Sequence, residues 1–168
     1  PLLGIAAGAI FTAVIQSSSA SVGILQALAR SGLIGLDGAV FVLFGQNIGT
    51  CITAVLASIG TGREAKQTTI IHLSFNLIGT SIFTIICLLT VNTAFSLTDL
   101  VASWTPGRPD AQIANMHTLF NSVTTLLLLP FGSYLASFAQ HILPLKEEKV
   151  SDVLQFLKPL PSSNRSLG

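Results

Sequence analysis

Charge is what this chain has least of. Of its 168 residues only 9% are Asp, Glu, Lys or Arg, and none lies between Pro1 and Ala29. A soluble domain carries about 25% charged residues. With half the residues hydrophobic and a mean hydropathy of +0.73, the composition is that of a membrane protein. The net charge of +1 supplies no basic surface for nucleic acid. Cysteine is also scarce. Cys51 and Cys87 both lie in apolar stretches and fit neither a disulfide framework nor a metal cluster, so buried packing is expected of both. The one methionine is Met116 and the chain opens on Pro1, which reads as a fragment with sequence missing before it. No Ser-His-Asp arrangement, phosphate loop or metal-ligand spacing is visible, so no enzyme and no cofactor is expected.

The few charges punctuate the chain. Arg30 to Asp37, Arg63 to Lys66, Asp99 to Asp110 and Lys146 onward close four apolar blocks. A crossing helix needs about 20 apolar residues, and the segments 38–62, 67–94 and 111–143 each suffice. The first block has two readings. As one straight helix, residues 1–29 reach about 43 Å against a hydrocarbon core of about 30 Å. Broken at the serines, they give half-helices 2–15 and 20–30, each too short to cross. The break is favoured over a long tilted helix, giving a re-entrant hairpin over 2–30 with its tip at Gln16–Ser19. Arg30 and Arg108 then fall on one side, and Arg63, Lys66, Lys146, Lys149, Lys158 and Arg165 on the other, which makes the second side cytoplasmic. The hairpin enters from outside. Residues 94–104 suit a short interfacial helix, with Trp104 at headgroup depth. Residues 144–168, with their Lys146-Glu147-Glu148-Lys149 cluster, amphipathic Val150–Leu157 and two later prolines, have the composition of a cytoplasmic tail or linker.

Three polar islands interrupt the apolar sequence, where each unsatisfied polar group costs several kcal/mol. The first is Gln16-Ser17-Ser18-Ser19. At a helix N-terminus the unpaired N–H groups and partial positive charge attract an anion, and hydroxyls serve either an anion or a cation. The alternative is an ordinary cap or helix-helix hydrogen bond. The second is Gly45-Gln46-Asn47-Ile48-Gly49-Thr50, followed by Thr53. Its glycines permit an unwound, interrupted helix whose carbonyls and amide oxygens suit a small cation. They equally suit a small-residue packing face, the role assigned to Gly4 and Gly8. The third is the echo of His72/Asn76 in His117/Asn121, an i, i+4 pair on each of two helices. Inter-helix hydrogen bonding and direct handling of a proton or solute both remain open for these four.

Taken in order, Gln16-Ser17-Ser18-Ser19-Ala20, Gly45-Gln46-Asn47-Ile48-Gly49-Thr50, His72…Phe75-Asn76 and His117…Phe120-Asn121 resemble the type II sodium/phosphate cotransporters, the bacterial branch most closely. The resemblance covers about residues 1–143 and implies the second of two inverted repeats. The expected fold is therefore an all-α membrane protein: a re-entrant hairpin, three transmembrane helices with one interrupted, and an interfacial helix, together half of an inverted-repeat transporter. The implied activity is sodium-coupled symport of inorganic phosphate across the cell membrane. By position, Gln16, Ser17, Ser18, Ser19, Asn47, Thr50 and Thr53 would serve phosphate and sodium, with Ser18, Ser19, Asn47 and Thr50 as sodium ligands. Gln46 stands where many members have a small residue. The implied partners are phosphate, Na+, the bilayer, an N-terminal repeat of the same protein and a regulator-like cytoplasmic domain. Transport of another oxyanion or a small carboxylate, and a non-transporting scaffold, are the alternatives.

Overall fold

A computed structural model describes residues 1–93 and 95–144. The expected tail, including the Lys146 cluster and Val150–Leu157, lies outside the described residues apart from Pro144. The described chain is helical throughout its regular elements: α1 Leu2–Ile15, α2 Ser18–Arg30, α3 Leu36–Ser58, α4 Arg63–Thr90, α5 Leu97–Trp104, α6 Pro109–Leu128 and α7 Gly132–Ile142, with a 3-10 turn Leu129–Phe131 joining the last two. Among the described residues, α3, α4 and the run Pro109–Ile142 are long and apolar enough to cross a membrane. At 1.5 Å per residue α1 and α2 reach only about 20 Å each, short of a bilayer core.

The first block breaks where the serines begin. Gln16 takes a left-handed conformation (φ 58°, ψ 23°), and its N–H closes α1 on Thr12 O at 2.7 Å. It is the one non-glycine residue with positive φ among the described residues. That conformation costs an L-residue about 1–2 kcal/mol. Ser17 is extended and caps α2, its Oγ accepting from Ala20 N at 3.3 Å. α2 therefore starts at Ser18, two residues earlier than expected. It runs back along α1, so that Ala7 and Phe11 share an apolar crevice with Ile24, Leu25 and Leu28. Gly32 (φ 74°) ends α2: Leu33 N donates to Leu28 O and Gly32 N to Ala29 O, both at 3.1 Å, satisfying two terminal carbonyls.

Two expectations about helix breaks are corrected. α3 runs unbroken through Gly45-Gln46-Asn47-Ile48-Gly49-Thr50. Its glycines serve contact rather than unwinding. A Cβ on Gly45 would strike Ile5 O, and one on Gly49 would strike Ala9 O and come within 2.8 Å of Thr12 Cβ. Across the seam, a Cβ on Gly8 would strike Val42 O. The contacts Gly4–Phe41, Gly8–Gln46 and Thr12–Gly49 advance together, so α1 and α3 lie parallel and nearly backbone to backbone. In lipid, helices gain little from removing apolar surface from water, and close approach of small residues supplies the attraction. The interruption falls instead in the last crossing, at Pro130. Proline has no N–H for the α-ladder and clashes with the preceding turn, so Leu129–Phe131 tightens to 3-10 geometry. The remaining boundaries shift by a few residues. α4 takes Arg63, Glu64 and Lys66 into its first turns, and the short helix before Pro109 occupies Leu97–Trp104 only.

The core lies where α3, α4 and α6 meet. Phe44, Phe83 and Phe120, one from each helix, form a triangle with ring centroids 5.1–5.8 Å apart. Leu43, Val40, Ile113, Met116 and Val101 of α5 are fully buried around it, and both cysteines are buried, Cys87 within this cluster. Thr80 Oγ1 donates to Phe44 O at 3.2 Å and ties α4 to α3. Gln26 Nε2 donates to Asp110 O at 3.2 Å and ties α2 to the start of α6.

Candidate functional site

Above the aromatic triangle the same helices part around a cavity of about 290 Å³. Ser18 lines it from the first turn of α2, Asn47 and Thr50 from α3, His72, Phe75 and Asn76 from α4, and His117 and Asn121 from α6. No Asp, Glu, Lys or Arg is among these residues. Their positions follow from helical spacing. Each His/Asn pair is one turn apart on one face, and that face is the one α4 and α6 turn toward α3.

The hydrogen bonds settle which atom each amide presents. A backbone carbonyl only accepts, so the carboxamide atom bonded to it is nitrogen. Asn47 Nδ2 donates to Leu43 O at 3.2 Å, Asn76 Nδ2 to His72 O at 3.0 Å, and Asn121 Nδ2 to His117 O at 2.9 Å. In all three the oxygen is turned away from its own helix. Asn47 Oδ1 meets His117 Nε2 at 3.2 Å. Since the amide oxygen can only accept, Nε2 carries the proton, which defines the tautomer of a neutral His117. This contact bridges α3 and α6, so His117 makes an inter-helix bond, one of the two roles left open for the histidines. Thr50 Oγ1 donates to Gln46 O at 2.9 Å and keeps its lone pairs free.

Not every residue singled out in the sequence reaches the cavity. Ser18, Asn47, Thr50, His72, Asn76, His117 and Asn121 do. Gln16 forms the left-handed turn and is exposed. Ser17 is spent on the cap of α2, and its Oγ lies 3.4 Å from that of Ser19 at the surface of the break. Thr53 lies one turn past Thr50 outside the cavity lining and donates to Thr50 O at 2.8 Å. Gln46 points the other way: it is 2% exposed, its Nε2 donates to Ser21 O at 2.9 Å, and its Oε1 is buried without a partner among the described residues. Buried hydroxyls of Thr12 and Ser21 behind the break likewise have no partner among the described residues.

Two residues of the cavity region escaped the sequence reading as contributors. Phe75 forms part of the wall. Cys51 sits at its back, where Sγ accepts from Asn76 Nδ2 at 3.4 Å and lies 3.8 Å from both Asn47 O and His72 O. The signal for Cys51 was present, because it lies four residues after Asn47 on the same helical face.

A neutral cavity that shows hydroxyls, imidazoles and amide oxygens, together with the first turn of α2, has partners for an anion and for a hard cation, and no ionic side chain committed to either. The comparisons with known proteins agree with that chemistry. A family described as Na+/Pi-cotransporter matches residues 1–103, which hold α1 to α4, all but the last residue of α5 and most of the cavity wall. The chain belongs to this family. Its members are membrane-embedded transporters for sodium and phosphate rather than enzymes. The uncharacterized protein YqeW of Bacillus subtilis (strain 168) is 40% identical over 139 residues, 83% of this chain and 43% of YqeW. Human sodium-dependent phosphate transport protein 2C is 41% identical over 81 residues, 46% of this chain and 14% of that protein. The rat 2C protein is 32% identical over 143 residues, 82% of this chain and 22% of that protein. The chain thus spans less than half the length of each of these relatives. No solved structure matches it.

Proposed function

We propose that the whole protein carries inorganic phosphate across the cell membrane together with Na+, and that residues 1–143 are one of two repeats enclosing the transport site. The observation that supports this most directly is the uncharged cavity between α2, α3, α4 and α6. A phosphate dianion held there has no lysine or arginine of this repeat to balance it. At an effective dielectric of about 20, two unit charges 4 Å apart attract by about 4 kcal/mol. One co-bound Na+ therefore offsets much of the cost of moving the anion out of water, and phosphate without sodium is poorly held. Coupling is the thermodynamic consequence: each ligand raises the affinity of the other by the same factor.

In this reading α1 and α2 form a re-entrant hairpin that dips in from outside. Its tip, Gln16 to Ser19, faces the substrate path, and Ser18 with the N–H groups of the first turn of α2 meets the phosphate. Asn47, Thr50 and Thr53 belong to the same path on α3. Arg30 and Arg108 lie outside, Arg63 and Lys66 in the cytoplasm, and the residues after 143 form a cytoplasmic linker toward a regulator-like domain. An N-terminal repeat of opposite orientation supplies the other half of the cavity.

The test is uptake of radiolabelled phosphate by full-length protein in proteoliposomes. Uptake is expected to follow an inward Na+ gradient and to vanish when K+ replaces Na+. Uptake indifferent to sodium rejects the symport. Stronger inhibition by sulfate or succinate than by arsenate transfers the reading to another anion.

A further inference from the structure

We propose that Asn76 and Asn121 form a sodium subsite of this cavity, distinct from the serine-rich end that meets the anion. The inference deepens the symport reading and rests on it for the identity of the cation. Its physical basis is the number of N–H bonds each amide has left. Asn76 Nδ2 has two hydrogens and two partners, His72 O at 3.0 Å and Cys51 Sγ at 3.4 Å. It has none to give a phosphate oxygen. Asn121 Nδ2 is held by His117 O at 2.9 Å. Among the described residues neither Oδ1 receives a hydrogen bond, and both side chains line the cavity, Asn76 at only 5% exposure.

A carbonyl oxygen that faces an anion repels it. One that faces a hard cation replaces a water of its shell. The two side chains come from neighbouring helices, α4 and α6, and line the same cavity, and Thr50 adds a hydroxyl whose proton is already given to Gln46 O. Asn47 Oδ1 is occupied by His117 and takes no part unless that bond opens. Ser18 and the start of α2, whose hydroxyl and N–H groups can donate to an anion, lie on a different element. By the direction of its amides the cavity shows carbonyl oxygens on α4 and α6, beside the His72 imidazole, and hydroxyl and N–H donors on α2. Cys51 is a positioning residue in this scheme, since its sulfur holds the amide of Asn76 in the orientation that exposes the oxygen.

Binding of 22Na+ to the purified full-length protein in nanodiscs, without phosphate, tests this. Asn76→Ala and Asn121→Ala are each expected to weaken sodium binding by about ten-fold or more, while phosphate binding at saturating Na+ changes by less than about three-fold. Asn76→Ser and Asn121→Ser keep a hydroxyl for the helix carbonyl and remove the amide oxygen, so they carry the measurement if an alanine variant fails to fold. Sodium binding unchanged in folded variants overturns the proposal, as does a wild-type protein that binds no sodium. Selective loss of phosphate affinity overturns it too. Sodium-independent uptake by a wild type that does bind sodium leaves the subsite standing and rejects the symport instead.

Discussion

Helix α3 has two faces that do opposite things with adjacent residues. Toward α1 it presents Gly45 and Gly49, and the two backbones meet with no room for a methyl group. Toward α4 and α6 it presents Phe44, Asn47 and Thr50, and the helices part far enough to leave a polar cavity. The first face is dry, backbone on backbone, and permits no adjustment. The second is held by an aromatic triangle at its base and by side-chain hydrogen bonds that have alternative partners. One six-residue island thus supplies both a fixed seam and an open site. The seam holds α1 against α3, so the break that follows α1 delivers Ser18 to the cavity at a set position.

The sharpest way to break this contrast is to add one carbon at the seam and one where no helix stands opposite. Gly45→Ala or Gly8→Ala pushes a methyl into a carbonyl of the facing helix, where backbone cannot yield, and is expected to cost about 3 kcal/mol. Thermal unfolding of the full-length protein in detergent should register it as a large fall in Tm, with loss of uptake. Gly23→Ala on α2, which meets nothing within 4 Å, should do the reverse and add up to about 1 kcal/mol of helix stability. If both substitutions shift Tm alike, the seam does not hold the fold.

The next effect belongs to the open face. Asn47→Ala removes the acceptor of His117 and leaves that imidazole unpaired. A cost of about 1–3 kcal/mol is expected, read as roughly a ten-fold to hundred-fold loss of phosphate uptake. His117→Ala in the Asn47→Ala background should add little, because the two act as one unit. Additive losses would show that they work separately.

Smaller effects come from the break itself. Ser17→Ala removes the cap of α2 and should cost about 1 kcal/mol in Tm measurements. Gln16→Gly should be neutral or slightly stabilising, because glycine takes the left-handed turn without the Cβ penalty. If Gln16→Gly nevertheless abolishes uptake while Tm holds, the side chain of Gln16 serves the substrate path and not the turn alone.

Much of this arrangement was legible in the residues, and the misreadings have physical causes. Apolar block lengths separated crossing from non-crossing segments, since a hydrocarbon slab demands a minimum helix length. The serine run marked a real break because cap residues hydrogen-bond the backbone locally. The paired glycines in Gly45-Gln46-Asn47-Ile48-Gly49-Thr50 were open to two readings, unwinding or close contact. Glycine favours both for the same reason, the missing Cβ, and only the helix lying opposite decides between them. Pro130 was underweighted because an apolar run reads through a proline that the helix cannot.

Composition and spacing by themselves determined that this protein lives in a bilayer and that its polar groups are hydroxyls, imidazoles and amides instead of ions, and they favoured a stop of the first helix at the serine run. Tertiary structure alone decided which neighbour each polar group met: Gln46 met Ser21 O, Asn47 met His117 and Asn76 met Cys51 Sγ. Those choices rest on which carbonyls and sulfur atoms of neighbouring helices stand within hydrogen-bond reach, and that is a property of packing that no single helix carries in its sequence.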